Sequence, residues 1–201
     1  MVKPSKGTLY IVACAAGPAK YIGHLVTEAI SRGWIVRVLP TPNAMDWLPL
    51  DELEQQTGFT LRPVVSSSLP AARKAPPPDA IIVAPASFNT INKLALGISD
   101  NKALDTISPL ISTKIPFVIL PFTNQRYYAR APLRRSVSAL RREGVSVLLR
   151  PPPNDTNIWE SALALLERSP KGTPRGFHYQ GSITYVGGQA SVHTRLEQVK
   201  G

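Results

Sequence analysis

The feature that most constrains this chain is a series of short, largely apolar runs separated by segments of helical periodicity. Leu9-Tyr10-Ile11-Val12-Ala13, Trp34-Ile35-Val36-Arg37-Val38-Leu39, Ala80-Ile81-Ile82-Val83-Ala84 and Pro116-Phe117-Val118-Ile119-Leu120 have strand length and carry apolar side chains at consecutive positions. Such strands have to be covered on both faces. Between them, Ile22, Leu25, Val26, Ala29 and Ile30 recur at helical spacing up to Gly33, and Ile91, Leu94, Ala95 and Ile98 do so across 89–98. Pro132 suits the first turn of a helix carrying Leu133, Val137 and Leu140, which Gly144 closes. Residues 59–65 read as a weaker strand, 145–149 as a last strand, and Ile158, Trp159, Ala162, Leu165 and Leu166 as a helix after it. Alternating strands and helices of this kind predict an α/β domain: a doubly wound, Rossmann-like or flavodoxin-like parallel sheet with helices on both faces.

The triplets Pro76-Pro77-Pro78 and Pro151-Pro152-Pro153 forbid regular helix and mark rigid connections rather than domain linkers. A boundary is expected near Ser169, where Pro170, Gly172, Pro174 and Gly176 lead into a polar tail. One domain over 1–169 and a tail over 170–201 follow, with 177–186 compatible with a small hairpin turning near Gly181-Ser182. A single cysteine, Cys14, excludes an intramolecular disulfide, and no run is apolar enough to span a bilayer. The N-terminal segment lacks the form of a secretory signal, so a cytoplasmic protein is expected.

The net charge of +10 raises the question of nucleic acid. Between Arg126 and Arg150 lie seven arginines and one acid, Glu143, which predicts a cationic face. One cysteine and the scattered His24, His178 and His193 cannot build a zinc finger, and no helix-turn-helix or RNA-binding sheet signature is present, so nucleic-acid binding is disfavoured and no metal is expected.

In an open parallel sheet, ligands sit beyond the carboxyl ends of the strands. The loops there read Cys14-Ala15-Ala16-Gly17-Pro18-Ala19-Lys20, Pro40-Thr41-Pro42-Asn43-Ala44, Pro85-Ala86-Ser87-Phe88-Asn89-Thr90 and Pro121-Phe122-Thr123-Asn124. They contain neither the G-x-G-x-x-G dinucleotide fingerprint nor a P-loop. What remains is neutral: hydroxyls and free amides for a monophosphate, and Asn side chains for the edge of a heterocycle. A mononucleotide such as FMN fits that inventory.

Pro85-Ala86-Ser87-Phe88-Asn89-Thr90 differs by one residue from the P-A-S-A-N-T motif of the homo-oligomeric flavin-containing cysteine decarboxylases. Gly97-Ile98-Ser99-Asp100-Asn101 resembles that family's G-x-x-D-N helix end, Thr41-Pro42-Asn43-Ala44 its T-P-x-A turn, and Pro121 through Tyr128 a degraded P-x-M-N-x-x-M-W substrate motif. The resemblance covers roughly residues 8–150 and implies FMN held between subunits of a trimer or a multiple of three. Gly17, Thr41, Ala86, Ser87, Asn89 and Thr90 would contact the cofactor. Asn124 would clamp the carboxylate of a cysteine-containing small molecule or peptide C-terminus, with Arg126 and Tyr128 beside it. The implied chemistry is oxidative decarboxylation, in which the flavin takes electrons from the thiol side and carbon dioxide leaves.

Two departures bear on this. The family's catalytic histidine would fall near Ala71, and residues 61–79 contain no histidine. Where the family commonly has Gly-Ser for the flavin phosphate, this chain has Cys14-Ala15. The alternative implied is a flavin-binding regulatory or carrier protein without decarboxylase activity. Cys14 itself reads as a packing residue, and a cysteine placed to serve phosphopantothenoylcysteine decarboxylation is absent.

Overall fold

A computed structural model describes residues 5–61, 76–149 and 158–169, together with the backbone of strands at 181–186 and 189–194. Strands β1 (Gly7–Ala13), β2 (Trp34–Pro40), β3 (Ala80–Ala86), β4 (Phe117–Pro121) and β5 (Ser146–Val147) form one sheet in the order β2-β1-β3-β4-β5, all neighbours parallel. The expected doubly wound architecture is therefore present. Side chains alternate between two cores as the pleat requires. Leu9, Ile11, Ala80, Ile82, Val118 and Leu120 join one cluster, while Tyr10, Val12, Ile81, Val83, Phe117 and Ile119 join the other. Each fully buried Leu or Ile contributes about 1.5–3 kcal/mol, and β1, β3 and β4 are buried almost throughout, whereas the edge strand β2 leaves Ile35 exposed and Arg37 half-buried on one face.

Helices α1 (Ile22–Ser31) and α7 (Ile158–Arg168) cover the first face through Leu25, Val26, Ala162 and Leu163. Gly33 ends α1: its N–H donates to the Ile30 carbonyl at 2.9 Å, and its φ of +91° turns the chain out of the helix into β2. The second face is covered by α3 (Phe88–Ala95), α4 (Lys102–Ile107) and α6 (Ala131–Arg142), with Leu94, Leu104, Leu133, Val137 and Leu140 buried. Between α3 and α6 the Ser136 hydroxyl donates to Asn92 Oδ1 at 2.6 Å. The short α2 (Leu50–Thr57) and α5 (Gln125–Tyr128) and three 3-10 turns, Gly17–Tyr21, Pro42–Trp47 and Ser108–Thr113, complete the described chain.

Three details differ from the expectation. Residues 59–61 form no strand, and the rest of the weak strand expected at 59–65, like Pro151-Pro152-Pro153, lies outside the described residues. The last strand is two residues long because it pairs with β4 only at the sheet edge, Val118 with Ser146 and Ile119 with Val147. The C-terminal hairpin joins β6 (Gly181–Val186) to β7 (Gln189–Thr194), with Val186 opposite Gln189. Its reversal falls after Val186. Gly181-Ser182 begins a strand there, because the alternation of Ile183 and Tyr185 with polar residues outweighs the turn preference of a lone Gly-Ser pair.

Candidate functional site

The strand order reverses between β1 and β3: the chain steps from β1 outward to β2, then returns to the other side of β1. A crevice opens at such a switch point. Here the strand ends are laced together. Cys14 N–H donates to the Pro85 carbonyl (3.1 Å), Thr41 N–H to that of Ala13 (2.9 Å), and Phe122 N–H to that of Ala86 (2.8 Å). Below the rim, the Cys14 thiol, 1% exposed, donates to Thr90 Oγ1 at 3.2 Å. Ser87 Oγ donates to the same oxygen at 3.0 Å and accepts the Thr90 N–H at 3.2 Å, the N-cap bond of α3. Burial pushes the Cys14 thiol above its ordinary pKa, with smaller opposing effects from Thr90, Ser87 and Thr41. The thiol is a neutral packing group at physiological pH.

Above this knot lies a cleft of about 430 Å³ bounded by the loops after β1, β3 and β4. Ala15 to Pro18 form one wall, Ser87 to Asn89 the second, and Phe122 to Asn124 with Tyr127 the third. The N–H groups of Ala15, Ala16 and Gly17 meet no acceptor among the described residues. A side chain at Gly17 would project into open space, so that loop is bare of steric cover. Phe88 and Tyr127 stack with ring centroids 4.5 Å apart, and the Arg130 guanidinium lies 5.8 Å from the Phe88 ring. Phe122 is braced from behind by Trp159, at 6.3 Å. Asn124 caps α5, its Oδ1 accepting the Arg126 N–H at 3.0 Å. That bond leaves the amide NH₂ of Asn124 to donate elsewhere.

Of the residues singled out from sequence, the fold brings Gly17, Ser87, Asn89 and Asn124 to this one cleft. Thr41 and Thr90 are buried behind it around Cys14, and Ala86 is buried in β3. Arg126 is exposed beyond the rim. Tyr128 turns away, donating its hydroxyl to the Pro121 carbonyl at 2.9 Å, with burial raising its pKa; Tyr127 takes the cleft-facing position. Sequence reasoning did not assign Ala15, Ala16, Pro18, Phe88 or Phe122 to the site, although each stands in a strand-end loop, which was the available signal. Tyr127 is the only titratable side chain on the cleft wall among the described residues, and those residues contain no group of His, Cys, Asp and Glu that could hold a metal. His24 is exposed on α1.

A parallel sheet of this order, with a neutral, aromatic-walled crevice where the order reverses, defines the flavodoxin-like class of α/β proteins. The chain belongs to the Flavoprotein family, whose sequence model matches residues 3–169. It is 33% identical over 128 residues to the coenzyme A biosynthesis bifunctional protein CoaBC of Bacillus subtilis (strain 168), a match covering 60% of this chain and 30% of that protein. The chain therefore spans under a third of that relative's length. Among solved structures it resembles TvaF, an FMN-dependent cysteine decarboxylase from thioviridamide biosynthesis, with a TM-score of 0.62, 26% identity and coverage of 81% of this chain and 99% of that one. It also resembles the peptidyl-cysteine decarboxylase EpiD, with a TM-score of 0.61, 25% identity and coverage of 80% and 98%. Among the described residues no helix is long and apolar enough to cross a membrane.

Proposed function

We propose that this protein binds FMN in the strand-end cleft and oxidatively decarboxylates a peptide that ends in cysteine. The observation that carries the reading is the convergence of Gly17, Ser87, Asn89 and Asn124, drawn from three separate loops, on one uncharged cleft at the sheet's switch point. The residues fit the group. Three N–H groups at Ala15 to Gly17 that lack intramolecular acceptors suit a phosphate, the Phe88, Phe122 and Tyr127 rings suit the planar heterocycle, and the exposed Asn89 amide suits its polar edge. Thr41, Ala86 and Thr90 act from behind by fixing the wall, to which Ser87 is tied through Thr90. When bound, FMN supplies a two-electron acceptor. Asn124 holds the substrate carboxylate through its free NH₂, Arg126, exposed beyond the rim, adds positive charge on the approach, and the aromatic walls exclude water from the thiol.

The working unit in this proposal is residues 1–169, with 170–201 as an extension, in a cytoplasmic homo-oligomer built on threes, as suits a site shared between subunits. One observation favours a second reading, a flavin-binding protein without turnover: residues 61–79 contain no histidine, and the described cleft wall offers no base other than Tyr127. A visible absorption spectrum of the purified protein, followed by mass spectrometry of a cysteine-terminated peptide incubated with it, decides the matter. A yellow protein and a mass loss of about 46 Da, carbon dioxide plus two hydrogens, are expected. A yellow protein with no mass change selects the second reading, and a protein that takes up no FMN overturns both.

A further inference from the structure

On the far side of α5 from the cleft, a groove of about 450 Å³ runs along α6. Its floor is apolar, made by Leu133, Val137 and Leu149, and its rim carries Arg134, Arg141 and Arg142. Among the described residues these arginines are held by backbone carbonyls. Arg134 donates to the Ala129 carbonyl, Arg141 to that of Val147 at 2.8 Å, and Arg142 to that of Ser138 at 3.4 Å. None pairs with a carboxylate among the described residues. On the opposite face of the sheet the pattern is reversed: Arg32 meets Glu28, Glu160 and Glu167, and Lys6 meets Glu167. Each backbone bond uses one of the five N–H donors of a guanidinium and leaves the others to meet an anion.

We infer that the α6 groove is a docking surface for an acidic polypeptide segment carrying apolar anchors. Charge complementarity selects an anionic occupant, and the apolar floor selects a polypeptide over a nucleic acid. A nucleic acid is held by cations on its phosphates and aromatic platforms under its bases, not by a floor of Leu and Val. Symmetric pairing with a second copy of this chain would set arginine rim against arginine rim. The groove also has a position. Tyr128 lines it and Tyr127 lines the cleft, so one short helix separates the two. A substrate held by an acidic stretch at α6 could thus present its cysteine terminus to the cleft, a step that rests on the flavoprotein reading, whereas docking does not.

The test titrates the full chain into a fluorescein-labelled peptide of alternating Glu and Leu and follows anisotropy at low salt. Saturable binding is expected, about tenfold weaker in the Arg134→Ser/Arg142→Ser double variant and for a peptide with Ser in place of Leu. Circular dichroism should show the variant folded as the parent. No saturable binding, or binding indifferent to the two arginines, overturns the inference. So does tighter binding of a labelled single-stranded oligonucleotide, or a double variant whose sedimentation shows that an oligomer has dissociated. Docking is read without flavin, so its failure is separable from a colourless protein. A lower KM for a cysteine-terminated peptide with an acidic upstream stretch, lost in the double variant, reports the delivery step.

Discussion

Replacing Ser87 and Asn89 by alanine should have opposite consequences, although the two residues stand two apart in one motif. The Ser87 hydroxyl is already committed: it accepts the Thr90 N–H and donates to Thr90 Oγ1, tying the start of α3 to the knot around Cys14. Loss of an N-cap of this kind costs about 1 kcal/mol, a fall in Tm of roughly 2–4 °C for a chain of this size. Asn89 is exposed on the cleft wall, so Asn89→Ala should stay within about 0.5 kcal/mol in stability. Its amide is the one free to meet a heterocycle, and losing such a bond is worth about 0.5–1.5 kcal/mol, a rise in the FMN Kd of about two- to tenfold. Thermal melts of both apoproteins and quenching of FMN fluorescence on titration read the two quantities separately. If Ser87→Ala sheds FMN at an unchanged Tm while Asn89→Ala melts early and keeps it, the division between knot and cleft is wrong.

Asn124→Asp should keep the α5 cap, since aspartate accepts the Arg126 N–H as well as asparagine does, yet abolish the 46 Da loss, because a carboxylate replaces the donor facing the substrate's own carboxylate; unchanged turnover by mass spectrometry would remove Asn124 from the clamp. Glu167 has its pKa held below the usual carboxylate value chiefly by the Lys6 hydrogen bond at 2.8 Å, with Arg32 adding to it against some desolvation. A lowered folded pKa stabilises above the unfolded value and is lost as the pH falls through the folded one. Glu167→Gln should therefore cost up to about 1 kcal/mol at pH 7 and nearly nothing well below about pH 4, as read by urea melts at the two pH values. Gly7 sits at φ +118° with Asp79 packed where a Cβ would stand, and Asp79 Oδ2 accepts the Thr8 N–H at 2.7 Å. Gly7→Ala should lower stability by about 1–3 kcal/mol, and an unchanged Tm would mean that the N-terminal end of β1 yields freely.

The sheet was legible because residues such as Ile81, Ile82 and Val83 are apolar in succession, and only a strand covered on both faces accommodates that. The short α2 and α5 escaped because one or two turns carry too few apolar repeats to show a period. Which of Tyr127 and Tyr128 faces the cleft was equally closed to inspection, since neighbours on a helix diverge by about 100°. The hydroxyls are the more instructive case. Ser87, Thr41 and Thr90 look like a cup of donors for a ligand, but buried strand ends need hydrogen-bond partners of their own, and here the Cys14 thiol sits among those side chains. Loop composition cannot separate the two demands, because both call for the same residue types. Backbone N–H groups are different: Ala15 can offer one as well as serine can, whatever its side chain. A loop that has lost its serine can therefore keep its affinity for phosphate, provided that its amides stay unpaired, as those of Ala15, Ala16 and Gly17 are among the described residues.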